Sequence, residues 1–119
     1  IRYLKQGVPV VAWGGPGRPV ETIDGGKWSP YNPGSNLTPA FAGYVSGHST
    51  FSASSASILR WFTGTDTLDF SVVLPPNFGR VEPGVPLVPM QLSYPTLSSA
   101  VMDAGLSRLY AGIHFSADN

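Results

Sequence analysis

The chain is 119 residues long, with 42% hydrophobic and 12% aromatic residues, enough to bury one core and too apolar for a disordered tail. Seven Lys and Arg balance seven Asp and Glu, only 12% of residues are charged, and no basic run follows a nucleic-acid backbone or an anionic membrane. With no Cys there is neither a disulfide framework nor a thiolate metal site, and no apolar stretch nears the roughly 18 residues of a membrane span.

The N-terminal "IRYLKQGVPV" has neither an initiator Met nor a signal-peptide layout, and Asn119 falls inside what reads as a helix. The expectation is therefore a single partial domain over residues 1–119, cut from a longer protein at both ends. From Gly14 to Pro39 the text shows neither helical nor strand period and reads as a long ordered loop anchored by Trp28 and Tyr31. Asn36-Leu37-Thr38 within it fits a glycosylation pattern, and no role is assigned to it.

A helix is predicted over about Ser49 to Phe62, with Phe51, Ser55, Ile58, Leu59 and Phe62 near one face and Gly64 as its stop. Its other face is Ser and Ala, small enough for a second helix to approach closely. After "DTLDFSVV" an irregular stretch, 74 to 89, has room for a short hairpin. A second helix is predicted from about Thr96 to Gly105, carrying Leu97, Val101 and Ala104 at helical spacing, and a third from His114. The fold class expected is mainly α, part of a helical bundle with long ordered loops and a short β-hairpin at one place.

Two stretches carry chemistry. Ser46-Gly47-His48 lies directly before the first helix, where backbone N–H groups without internal partners and the positive end of the helix dipole suit an oxyanion. Gly47 lets the backbone come close, Ser46 adds a hydroxyl donor, and His48 is a candidate acid/base. Taken alone, the same residues read as an N-cap and a satisfied histidine. The second stretch, "SRLYAGIHFSADN", presents Arg108, then His114, then Asp118 four residues on. Arg108 offers a permanently charged planar fork for two oxygens of a phosphate-like anion. If His114 opens a helix, Asp118 sits one turn later and can hold the imidazole tautomer. Surface charge and a core histidine are the plain readings of these residues one at a time, but four suitable groups together weaken them.

Ser46-Gly47-His48 and Ser107-Arg108-x5-His114-x3-Asp118 resemble the second and third motifs of the type-2 phosphatidic-acid phosphatase superfamily, which includes vanadium-dependent haloperoxidases and bacterial acid phosphatases. Val45 replaces the second motif's proline. The surrounding text, "GGPGRPVETIDGGKWSPYNPGSNLTPAFAGYVSGHSTFSA" and "DAGLSRLYAGIHF", resembles the haloperoxidase branch over most of the chain. The first motif, Lys-x6-Arg-Pro, is not matched: Val11 stands seven residues before Arg18, so Arg18 is left as a loop residue. The resemblance implies that this motif lies upstream of Ile1 and that residues 1–119 alone are inactive.

In that reading the cofactor is vanadate, bound at its metal through His114 and held by Arg108, Ser46 and Gly47, with His48 as acid/base and Asp118 orienting His114. The implied co-substrates are hydrogen peroxide and halide, the product is a hypohalous acid, and an extracytoplasmic or secreted location is expected. The same atoms suit an acid phosphatase, with a phosphate ester as substrate and a phosphohistidine on His114. A non-catalytic degenerate domain is the remaining family alternative. A Ser-His-Asp hydrolase from Ser46, His48 and Asp118 fits poorly, because a Ser two residues from its base at a helix start points away from it. A divalent-metal site from His48, His114 and Asp118 lacks a second carboxylate motif. Phe41, seven residues before His48, stands where chloroperoxidase-type members tend to carry Phe, although a packed aromatic is the simpler explanation.

Overall fold

The computed structural model describes residues 1–31 and 42–119, so the Asn36 sequon and Phe41 lie outside the described residues. Two antiparallel hairpins and two helices make up the architecture. Strand β1, Pro9–Trp13, pairs with β2, Val20–Asp24, in the register Pro9↔Asp24 to Trp13↔Val20. Helix α1 is Gly47–Thr63. Strand β3, Thr67–Leu74, pairs with β4, Met90–Thr96, with an irregularity between Thr67 and Phe70. Helix α2 is Leu97–Tyr110 and follows β4 without a break.

This corrects the expectation of a mainly α fold: strand accounts for 23% of the structure against 31% helix. Part of the stretch read as a loop after Gly14 is strand β2, whose five residues are too short for periodicity to mark them. "TLDFSVVL" is itself a strand, as its β-branched and aromatic content favours, and its partner lies beyond the irregular stretch. No helix starts at His114. The backbone turns there instead, with Asp118 N–H donating to Phe115 C=O at 2.9 Å and Phe115 N–H to Asp118 Oδ2 at 2.8 Å.

Helix α1 starts on Ser46, whose side chain accepts the Ser49 N–H, and stops on Gly64 in the left-handed region (φ 73°), whose N–H donates to Arg60 C=O. The helices pack against each other through small residues, since Ala56 of α1 is buried and Gly105 of α2 is buried in mid-helix. A Cβ on Gly105 would lie 3.1 Å from Ser49 Oγ, so glycine there is a condition of close approach, and α2 runs on to Tyr110, past the end expected near Gly105. The larger apolar face of α1 is bare: Phe51 is 76%, Ile58 66% and Phe62 80% exposed.

Asp66 joins the two halves of this unit. Its carbonyl accepts Leu97 N–H at 2.8 Å, and its carboxylate takes Ser98 N–H at the start of α2. Helix α2 then opens with reciprocal caps, Ser99 N–H to Thr96 Oγ1 at 3.0 Å and Thr96 N–H to Ser99 Oγ at 3.2 Å. Thr96→Ala removes one of these caps and is expected to destabilise the protein by about 1 kcal/mol. Thermal denaturation of the two proteins measures it, and an unchanged midpoint would contradict the cap's role.

The first hairpin is tied to the rest by its aromatics. Trp13 and Tyr31 pack with ring centroids 4.8 Å apart, and the Tyr31 hydroxyl donates to Glu82 at 3.3 Å. Trp28 lies against Gly112, just beyond α2, so one anchor named from the sequence meets the region after α2 and the other, Tyr31, the segment between β3 and β4. Arg18 sits in the β1–β2 turn and pairs with Glu21 at 2.6 Å.

Candidate oxyanion site at the start of α1

Ser46 is fully buried as the α1 N-cap. Its oxygen accepts Ser49 N–H at 3.4 Å and lies 3.1 Å from Ser49 Oγ, so its side chain is fixed by the first turn of α1. Gly47 is the first helical residue, so its N–H is among those a helix leaves without an internal acceptor. His48 follows on an exposed position.

The third-motif residues come from the end of α2 and the turn beyond it. Arg108 lies in the last turn of α2, half-buried, with Nε enclosed and without a hydrogen-bond partner among the described residues. Burial pulls its pKa down, but a guanidinium remains charged at any physiological pH. His114 keeps only 6% of its side chain exposed, and its Nδ1 lies 3.5 Å from Asp118 Oδ2. That distance is too long for a good hydrogen bond. Asp118 reaches the imidazole from a turn rather than from the next turn of a helix, because the Phe115 N–H fixes its carboxylate. Gly43 closes the other side, where a Cβ would meet Asp118 Oδ2 at 3.1 Å.

The two motifs, far apart in sequence, meet directly. Ser46 N–H donates to Asp118 C=O at 2.7 Å. Arg108 and His114 lie near enough to His48 to act on its charge: burial first, then Arg108, then His114 lower its pKa from the ordinary histidine value. His48 is therefore the neutral imidazole at neutral pH, able to take a proton. The cavity of about 260 Å³ beside His114 is walled by Ile1, Trp28, Gly112, Ile113 and Phe115, so the anion donors do not line it. Among the described residues no three His, Asp or Glu side chains gather as a metal-ligand set, which weighs against the divalent-metal alternative.

These donors fit a tetrahedral oxyanion. A buried guanidinium nitrogen with no acceptor among the described residues, a helix N-terminus and a shielded imidazole are a donor set whose chemistry suits a negative partner. Residues 1–119 match the family model described as the VCPO second helical-bundle domain. The chain belongs to that family. Within it, this domain carries two helices beside two hairpins.

Among solved structures, the VCPO-type chain is similar to the holo-type bacterial vanadium-dependent chloroperoxidase, with a TM-score of 0.87 and 26% identity over 98% of this chain and 24% of that one. It is equally similar to the apo-type bacterial enzyme, with a TM-score of 0.87 and 26% identity over 98% of this chain and 25% of that one. The chain thus spans about a quarter of their length, and no curated protein matches it. The resemblance to vanadium-dependent haloperoxidases drawn from the two motifs therefore holds. No helix among the described residues is long and apolar enough to cross a membrane.

Sequence reasoning passed over Ser49, Gly43 and Asn119. Ser49 Oγ donates to Asn119 Oδ1 at 2.9 Å, and Asn119 Nδ2 to Gly105 C=O at 2.8 Å. A glycine inside a helical pattern was the one available signal of this close approach.

Proposed function

We propose that this domain forms part of a vanadate-dependent haloperoxidase that oxidises halide with hydrogen peroxide to a hypohalous acid. The observation that carries the reading is the enclosed Nε of Arg108, without a partner among the described residues, beside His48, in a chain whose second and third motifs are joined by the Ser46–Asp118 bond. The similarity to a holo and an apo vanadium-dependent chloroperoxidase supports vanadate as the group to be held.

In this reading His114 ligates through the ring nitrogen that does not face Asp118, and Asp118 orients the ring. Arg108, the Gly47 N–H and the Ser46 hydroxyl neutralise the anion's oxygens. When bound, vanadate supplies a Lewis acid that activates peroxide toward halide. His48, neutral at working pH, takes a proton from peroxide and returns one later. The reading also calls for the first motif's Lys and Arg, and residues 1–119 contain no Lys-x6-Arg-Pro.

The test uses the full-length protein loaded with orthovanadate. Bromination of a phenolic dye in the presence of peroxide and bromide is the expected result. Hydrolysis of a phosphate ester without bromination would transfer the same residues to a phosphatase, and neither activity would leave a binding domain.

A further inference from the structure

We infer that Asn119 and Ser49 are positioning residues for this oxyanion site: together they clamp the His114–Asp118 turn to both helices and so fix the Ser46 hydroxyl. The inference rests on the reading above for what the site binds, but its geometry stands apart from it.

A carbonyl oxygen can only accept, so the Asn119 group 2.8 Å from Gly105 C=O must be its NH2, and the amide oxygen is left to accept the Ser49 hydroxyl at 2.9 Å. One side chain thus joins the first turn of α1 to the middle of α2. Its own backbone follows Asp118, whose carbonyl receives Ser46 N–H at 2.7 Å and whose carboxylate faces His114. The loop closes at Ser46, because Ser49 Oγ also lies 3.1 Å from Ser46 Oγ. With Ser49 N–H directed at it and its own proton engaged by Ser49 Oγ, whose proton goes to Asn119, the Ser46 oxygen has a set orientation. The small residue at Gly105 is part of the device: a Cβ there would stand 3.1 Å from Ser49 Oγ and 3.5 Å from Asn119 Nδ2. Neither Asn119 nor Ser49 needs to touch the anion. Their effect passes through Ser46 and Asp118, as partners behind the groups that hold a ligand commonly act.

The experiment compares Asn119→Ala, Ser49→Ala and the double variant with wild type in the full-length protein, by calorimetric titration with orthovanadate and by amide hydrogen exchange without it. Each single variant is expected to weaken vanadate binding about tenfold, and the double variant to be no worse than Ser49→Ala alone. In the unloaded protein, exchange at the Ser46 amide should speed up in each variant while exchange around Ala56 in the middle of α1 stays as it was. Ser49→Thr, which keeps the hydroxyl, should restore most of the affinity. Wild-type affinity and exchange in Asn119→Ala would overturn the inference, as would faster exchange along both helices alike. If wild type binds no orthovanadate, the functional reading fails, and the Ser46 amide alone decides the clamp: faster exchange upholds it and unchanged exchange overturns it.

Discussion

His114→Ala is expected to abolish measurable vanadate binding by the full-length protein, a loss of at least 100-fold, or about 2.7 kcal/mol and more. The imidazole is nearly enclosed, with 6% of the side chain exposed, and one nitrogen is turned to Asp118 at 3.5 Å. That leaves a single nitrogen for a ligand, and nothing else in the turn from Phe115 to Asp118 can take its place. The hydrogen-bond donors Arg108, Gly47 and Ser46 can still attract an anion, but weakly and without a covalent bond to its centre. Titration with orthovanadate measures the effect. Binding within a few-fold of wild type would remove His114 from the site. Because the ring is nearly enclosed, the thermal midpoint of the variant must be recorded alongside, so that lost binding is not confused with lost fold.

His48→Ala is expected to divide the two roles differently, keeping vanadate affinity within a few-fold while turnover falls about 100- to 10,000-fold. His48 is exposed and makes no hydrogen bond on which the clamp depends, so its removal leaves the donors in place. What it supplies is a titratable nitrogen whose pKa is lowered, first by burial and then by the charges of Arg108 and His114. A base must be neutral to act. Turnover should therefore persist at neutral pH and decline as pH falls through this lowered value, and the decline should vanish with the residue. Equal loss of binding and turnover in His48→Ala would defeat the division of roles.

The same shift has a sign in stability. The folded protein takes up a proton at His48 less readily than the unfolded chain, so His48 contributes no penalty above the ordinary histidine pKa and destabilises the fold as pH drops below it. Thermal midpoints of wild type and His48→Ala should accordingly converge above about pH 7 and diverge in favour of the variant below about pH 6.

The family was legible because its motifs depend on residue type and short spacing. Ser46-Gly47-His48 reads as a helix start from sequence alone, and the structure gives α1 that N-cap and the Gly64 stop. The small face of α1 was legible too, as Ser and Ala opposite Phe51, Ile58 and Phe62. The hairpin of β1 and β2 was not, because five-residue strands punctuated by Gly and Pro carry almost no period. The pairing of His114 with Asp118 illustrates a different limit. An interval of four suits one helical turn, yet a tight turn closed by Phe115 N–H brings the same side chains together. Asn119 was out of reach for a third reason: its partners are Ser49, 70 residues away, and the backbone of Gly105, and a backbone carbonyl has no sequence signature.

The long span of the Ser49–Asn119 contact bears on when this site comes into being as the chain folds. Closing so large a loop costs entropy that no local interaction offsets, so neither α1 with its capped start nor the turn after α2 holds the cradle until the two helices have docked. The cradle is thus a late product of folding, and any anion that recognises it binds the native state alone. Mass action then makes that anion a stabiliser, worth about 2.7 kcal/mol at a hundredfold excess over its dissociation constant.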